Sequence, residues 1–329
     1  MTESAVLVLL SSYNGARYIA EQIESIRGQT FRDWRLLIRD DGSSDGTKSI
    51  VSKLSALDDR IEILVDNRGN VGPYPSFGFL LSAAGKTDAR YVFLSDQDDV
   101  WIPTKMADQL EALMRAEKAH GASHPILAHS DLEVVGEELE PIHPSFREYQ
   151  GFSHSFNDPL RTLLIHNGII GCTIAMNRAL LNIALPLPSG LHHDWWLGLC
   201  AAATGTVVST GERTVRYRQH ASNAVGAHAR RAFLSHVARH PLDFIARSLT
   251  AFDVGVRQAF ELRERLTDRT LGSAEIRGRV QRYAEAFGAR PFLSRIRSLR
   301  ESGAKPRRPL ARLLLLGIVA VFPHWKARR

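Results

Sequence analysis

Four times in its first 121 residues the chain repeats one pattern: a short apolar run that stops in polar turn residues, then a segment of helical period. "AVLVLLSSYN" leads into "NGARYIAEQIESIRGQ", where Ile19, Ile23 and Ile26 share a helical face, Asn14 is placed to cap the start and Gly28 to end it. "WRLLIRDDGSSDGT" precedes a helix with Ile50, Val51, Leu54 and Leu57 on one face. "RIEILVD" precedes "SFGFLLSAAG", and "RYVFLSDQDD" precedes "PTKMADQLEALMRAEKAHG", with Pro103 near the first turn and Gly121 just past the end. Strands alternating with helices predict an α/β domain whose central sheet is mostly parallel and covered on both faces. Ligands of such sheets bind beyond the carboxyl ends of the strands. Both acidic clusters, "RDDGSSDGT" and "SDQDD", fall at such ends.

After about residue 122 the pattern loosens. "PILAHSDLEVV" reads as a strand, "NGIIGCTIAMN" as a buried run, "HHDWWLGLCAAATG" as a helix N-terminus and "TVVSTGERTVRYRQH" as strands split by a turn. Beyond Ala229 the character is helical. With 44% apolar and 23% charged residues the chain has ordinary globular composition. Cys172 and Cys200 sit in apolar contexts and read as small core residues of a reduced, cytosolic protein. The N-terminus lacks a basic segment of the signal-peptide type and reads as a first core strand. The net charge of +7 is concentrated in the tail: residues 291–329 carry ten Lys/Arg and one acid, leaving the first 290 at −2. The body therefore shows no charge signature of nucleic-acid binding.

Like charges as close as those of Asp96, Asp98 and Asp99 repel unless something positive sits among them. The pair Asp96 and Asp98 suits a divalent cation, because carboxylates are preferred ligands of Mg2+ and Mn2+ and leave room for a diphosphate. The alternative is that Asp98 or Asp99 caps the next helix. In "RDDGSSDGT", Asp40 or Asp41 faces the crevice as an acceptor for a nucleobase or ribose, or the segment is simply a well-made turn with Asp45 as a cap. In "HHDWW", Asp194 is placed as a general base raised by apolar surroundings, or as a helix cap beside two core tryptophans. "YRQH" offers Arg218 and His220 to phosphate or metal, or is a polar strand end.

Taken together, "SSYNGARYIAEQIESI", "DDGSSDGT", "LSDQDDVW", "HDWW" and "YRQH" closely resemble glycosyltransferase family 2 over roughly residues 5–225. This is the inverting group with the GT-A fold, a Rossmann-like α/β architecture, that uses nucleotide-diphosphate sugars. "FLSDQDDVW", "HDWW" and "YRQHASNAVGA" look most like its rhamnosyltransferase-like branch, which builds bacterial surface polysaccharides. Ser76 departs from the pattern, since many relatives carry Asn there. The resemblance implies that Ser11 and Tyr13 line the nucleobase site and that Asp41, with Asp40 beside it, contacts base or ribose. It further implies that Asp96 meets ribose or metal, that Asp98 ligates Mg2+ or Mn2+ and that Asp194 is the catalytic base, with Arg218 and His220 of "YRQH" the candidates to join them at phosphate and metal. The expected partners are a nucleotide-diphosphate sugar, foremost dTDP-L-rhamnose, with UDP-glucose or UDP-galactose as the alternative donor, and a glycan or lipid-linked acceptor. A paired-carboxylate glycosidase would not explain a nucleotide-type turn and a metal-type D-x-D together. A nucleotidyltransferase would call for a Gly-rich phosphate loop where "SSYNGAR" has one glycine. A binding protein without turnover would have little use for both Asp98 and Asp194.

The expected organisation is a catalytic domain over residues 1–225 and a helical, basic region over 226–329. In that region residues 313–322 form an apolar run too short for a membrane span, which needs about 20 residues. Arg307, Arg308, Arg312, Lys326, Arg328 and Arg329 flank it, with Trp325 nearby. Such a segment suits an anionic bilayer surface, and predicts a cytoplasmic protein peripheral to the inner face of the plasma membrane.

Overall fold

Period-two alternation along the first strand sorts its side chains into two cores. Val6, Val8 and Leu10 of β1 (Val6–Ser12) pack in one cluster with Trp34, Leu36 and Ile38, while Leu7 and Leu9 face the other with Leu37, Val92 and Leu94. The sheet is thus covered on both faces, as its unbroken apolar runs require. The structure is a computed structural model and describes residues 5–151, 157–221, 241–288 and 291–304.

β1 lies between β2 (Trp34–Asp40) and β4 (Tyr91–Ser95), with β3 (Ile61–Ile63) outside β2, and all four are parallel. Between them run α1 (Ile19–Arg27), α2 (Thr47–Leu57) and α3 (Pro73–Ala84). Then come β5 (Val100–Trp101), α4 (Lys105–His120), β6 (Ile126–Val135), β7 (Pro141–His143), α5 (Phe146–Gln150) and α6 (Pro159–Leu163). β8 (Ile174–Asn177), α7 (Arg178–Ala184), α8 (His193–Thr204) and β9 (Thr206–Arg218) complete the sheet-forming part. Strand order is β3-β2-β1-β4-β8-β6-β9-β5, with β7 on β6.

The expectation of a mostly parallel sheet holds for β3-β2-β1-β4 and for β6 and β9, which pair parallel to each other and run the same way; the exceptions are β8, β5 and β7. β8 runs antiparallel to both β4 and β6, and β5 antiparallel to β9. Three local expectations also change. Asn14 does not cap α1; it adopts φ +46° and its Oδ1 accepts from the Ser44 N–H at 2.9 Å, tying the end of β1 to the loop after β2. "TVVSTGERTVRYR" is one 13-residue strand, interrupted in register rather than split, with Gly211 at φ +77°. Asp98 and Asp99 do not cap α4, because β5 and a turn intervene and Thr104 takes the cap position.

α9 (Pro241–Arg265), α10 (Ala274–Ala286) and α11 (Phe292–Glu301) close the described chain. Val256, Ala259, Leu262, Tyr283, Phe287 and Leu299 share a core with Trp195 and Trp196 of α8. Gly255 marks a close approach, since a Cβ there would stand 2.6 Å from the Trp195 ring. The expected boundary at residues 225/226 and the apolar run 313–322 lie outside the described residues. Among the described residues no helix is long and apolar enough to cross a membrane.

Candidate active site

The parallel strands β1, β2 and β4 end side by side, and their loops meet the N-terminus of α8. The loop after β2 is self-sufficient. Asp40 Oδ1 accepts from Gly42 N (3.1 Å) and Ser43 N (2.8 Å), and Oδ2 from Ser43 Oγ (2.6 Å) and Ser12 Oγ (3.3 Å). Asp41 is buried; Oδ1 accepts from Arg39 Nη1 (2.5 Å) and Val71 N (3.0 Å), and Oδ2 from Gly72 N (2.8 Å). Gly42 is held at φ +85°, and a Cβ would meet Asn70 N at 2.8 Å, so only glycine fits this close crossing of loops. Asp45 Oδ1 accepts from Thr47 N (3.0 Å) just before α2, and hydrogen bonds from Thr47 and Ala16 outweigh burial to hold its carboxyl below the usual range. The geometry gives Asp41 the task of fastening residues 66–72 beneath the crevice.

Arg39, fully buried, donates to Asp41, to both oxygens of Asp66 (2.8 and 3.2 Å), to Gly69 O (3.2 Å) and to Ser76 Oγ (2.9 Å). Ser76 Oγ also shares a 2.6 Å hydrogen bond with Ser11 Oγ, so the departure at position 76 joins the end of β1 to this network. The Tyr13 ring is exposed at the mouth, while its backbone N–H donates to Gln97 Oε1 (2.8 Å) and its carbonyl accepts from Gln97 Nε2 (3.0 Å).

That Gln97 clasp brings the loop after β4 against β1, and this loop is electrostatically unfinished. Asp96 is pushed up to about 7, first by burial and then by Asp98 and Asp194. Fully buried Asp99 is pushed well up by burial and by Asp98 and Asp96. Its Oδ1 accepts from Arg218 N at 3.2 Å, and its Oδ2 has no hydrogen-bond partner among the described residues. His220 Nε2 lies 2.9 Å from Asp98 Oδ2, with its ring packed against Tyr18. The Arg218 guanidinium is buried and donates to Asp98 O (2.8 Å), Glu21 Oε2 (2.5 Å) and Glu137 O. It therefore clamps the acidic loop to α1 and to the turn after β6.

Asp194, in the first turn of α8, completes the group. Burial pushes it up to about 6, against the opposing pull of the Trp195 N–H (2.7 Å to Oδ1) and Asn167 Nδ2 (2.8 Å to Oδ2). Tyr74 stacks on His192 at 3.9 Å, and its hydroxyl is held up at about 12 by burial, Asp194 and Asp96. Trp195 and Trp196 do not line the crevice. Both are buried, with indole N–H groups donating to Leu163 O (2.6 Å) and Ala184 O (2.9 Å). The aromatic surface beside Asp194 is Tyr74 with His192.

The structure brings Asp96, Asp98, His220 and Asp194 together, with Ser11, Tyr13, Asp40 and Asp41 along the neighbouring strand ends. Asn167, Gln97 and Tyr74 were not singled out from the sequence; the Asn-Gly turn signal at Asn167 was the available cue. Asp96 and Asp98 are carboxylates of the kind a hard divalent cation takes, and His220 is hydrogen-bonded to Asp98; the ligand atoms gathered within 4.8 Å of one another are instead those of Asp96, Asp99 and Cys172. The loop concentrates negative charge, and it holds the Asp96 carboxyl at about 7 with no ammonium or guanidinium paired to it among the described residues.

Comparison with known proteins identifies the family. The model of glycosyl transferase family 2 matches residues 7–181, more than half of the chain. The chain is 24% identical over 220 residues to UDP-Glc:alpha-D-GlcNAc-diphosphoundecaprenol beta-1,3-glucosyltransferase WfgD of Escherichia coli, covering 66% of this chain and 78% of that one. It is 29% identical over 131 residues to the glucosyltransferase WfaP, of the same printed activity and organism, covering 40% of this chain and 49% of that one. The fold is similar to the crystal structure of GalNAc-T7 with UDP, GalNAc and Mn2+, at a TM-score of 0.56 and 12% identity, over 86% of this chain and 56% of that one. An α/β fold with crowded carboxylates at the ends of its parallel strands, joined to a family match across that whole region, places this chain in glycosyl transferase family 2.

Proposed function

We propose that the protein transfers a sugar from a nucleotide diphosphate to a hydroxyl of a glycan or lipid-linked acceptor, with inversion at the anomeric carbon, in bacterial surface-polysaccharide synthesis. The observation that carries this reading is the convergence of Asp96, Asp98 and Asp194, an acid pair suited to a cation beside a carboxyl poised near neutrality. Asp98 and Asp96, with His220, would hold Mg2+ or Mn2+, whose chemistry is to neutralise charge on the departing diphosphate. Asp194 takes the proton of the acceptor hydroxyl as it attacks; a base near pH 6 is ionised at neutral pH yet still basic enough to accept that proton. Asn167 aims the carboxylate. One base and no protein nucleophile imply a single displacement. Tyr13 supplies an exposed ring for the base, and Ser11, Asp40 and Asp41 shape the nucleoside end. Arg218 acts on phosphate through the loop that it clamps.

The donor proposed is dTDP-L-rhamnose, on the likeness of "SDQDDVW", "HDWW" and "YRQH". The apolar wall that a 6-deoxy sugar needs cannot come from Trp195 or Trp196, and falls to Tyr74 and His192. The second reading is UDP-glucose, favoured by the printed activities of WfgD and WfaP. A donor competition reading nucleoside diphosphate release, with and without lipid-linked acceptor, tests both. Preference for UDP-glucose overturns the rhamnose reading, and no release with any donor overturns the transferase reading.

Residues 306–329, outside the described residues, are proposed to hold the protein at the inner face of the plasma membrane through their basic and apolar character. A chain lacking them is expected to leave the pellet of sedimented anionic vesicles and keep soluble-acceptor turnover. Continued sedimentation contradicts the proposal.

A further inference from the structure

Behind the acidic loop lies a donor set that a magnesium or manganese site does not call for. Cys172 sits in the 3-10 turn Gly171–Thr173 that leads into β8 and faces the end of β4. One ligand atom each from Asp96, Asp99 and Cys172 lies within 4.8 Å of the others. Asp99 and Cys172 are fully buried, whereas Asp96 reaches the crevice. Asp99 Oδ2 has no hydrogen-bond partner of ordinary geometry among the described residues and is left facing the Cys172 thiol, a costly and rare position for a buried carboxylate oxygen. The Cys172 thiol that faces both carboxyls is a weak donor, too weak to answer two crowded acids. The nearby ammonium does not fill the role: Lys105 Nζ donates to Gln109 Oε1 at 2.7 Å and Thr214 Oγ1 at 3.4 Å.

Hard cations take oxygen ligands, while a thiolate selects softer ones. Zn–S near 2.3 Å and Zn–O near 2.0–2.2 Å put neighbouring tetrahedral ligand atoms about 3.5 Å apart, which small side-chain rotations reach from the present spacing. Two carboxylates and one thiolate leave a fourth position for water or an incoming phosphate oxygen.

We propose that Asp96, Asp99 and Cys172 form a second, inner cation site that takes a thiophilic divalent ion of the Zn2+ class. As the sulfur–metal bond forms, the Cys172 thiol releases its proton to solvent and the thiolate supplies the electron pair. Asp96 belongs to both sites and cannot serve them together. Occupancy of the inner site therefore withdraws Asp96 from Asp98 and stops transfer. The inhibitory half of this inference rests on the transferase reading, and the binding half does not.

Cd2+ is the probe, read by its ultraviolet thiolate charge-transfer band on the full chain. One equivalent is expected to raise the band in the wild type, in Cys200→Ala and in Asp98→Asn, but not in Cys172→Ser. Zn2+ is expected to inhibit Mn2+-supported release of nucleoside diphosphate, with a midpoint at least tenfold higher in Cys172→Ser. No band in the wild type, a band lost in Cys200→Ala instead, or an equal midpoint in Cys172→Ser overturns the site. Where circular dichroism shows Cys172→Ser unfolded, the wild type and Cys200→Ala decide alone through the band. The band needs no turnover, so an inactive preparation tests the transferase reading without touching this one.

Discussion

Two acidic loops stand side by side at the ends of the parallel strands, and they are built on opposite terms. In the loop after β2, Asp40, Asp41 and Asp45 each accept hydrogen bonds from named protein groups, and Arg39 answers the charge of Asp41 and Asp66. In the loop after β4, Asp96, Asp98 and Asp99 face one another with one histidine contact, one backbone N–H and the weakly donating Cys172 thiol, and two of the three carboxyls are driven upward. The first loop is complete as protein. The second, on the reading proposed above, is completed by a cation. A count of acids along the sequence does not separate the two; the donors around each oxygen do.

The contrast predicts that substitutions at the unfinished site cost activity, and those in the finished loop cost stability. The largest effect is expected from Asp194→Asn. Loss of the base lowers kcat about 10²–10⁴-fold, with donor affinity nearly unchanged. The melting temperature is expected to rise. The carboxyl is raised in the folded state, so its ionised form opposes folding above about pH 6, a penalty that fades as pH falls through that value. Near-normal turnover removes Asp194 from the mechanism.

Next in size is the pair Asp41→Asn and Asp99→Asn, measured by thermal unfolding with chelator present. Asp41→Asn sets an amide N–H against one of the backbone N–H groups that the carboxylate now accepts from, and discards the charge that answers Arg39. A loss of about 2–4 kcal/mol is expected. Asp99→Asn removes a buried carboxyl whose ionisation burial opposes and keeps an acceptor for Arg218 N. Its melting temperature is therefore expected to rise at neutral pH and to converge on the wild type in acid. Equal destabilisation by both would erase the distinction between the loops.

A smaller effect is the pH dependence. kcat/KM is expected to climb about tenfold per pH unit below about 6 and to level above it, as Asp194 ionises. Asn167→Ala removes a hydrogen bond that favours the carboxylate, so the bend is expected to move to higher pH. An unmoved bend assigns the titration to another group.

The parallel half of the sheet was legible because each buried strand is an unbroken apolar run ending in turn residues. The mixed half was not, since strand direction in β8 and β5 depends on long-range pairing that local pattern does not carry. Adjacent tryptophans at a helix start usually point to different surroundings. Both are buried because α6 and α7 approach α8 and offer carbonyls to the two indoles. Cys172 read as an inert core residue because its sequence neighbours are apolar, whereas the Asp96 and Asp99 carboxyls reach it from the loop after β4. Asp98, His220 and Asp194 stand out in their motifs as candidates, whereas Asn167 lies 27 residues before the carboxylate it holds.

The central claim, that the loop after β4 is completed by a hard divalent cation, is tested most directly by Mn2+ titration with nucleoside diphosphate present, followed by calorimetry. One Mn2+ is expected to bind the wild type and Asp41→Asn alike, and binding is expected to be lost or weakened at least about tenfold in Asp98→Asn, which surrenders a charged ligand. Mn2+ binding unchanged in Asp98→Asn, or absent from the wild type, contradicts the account.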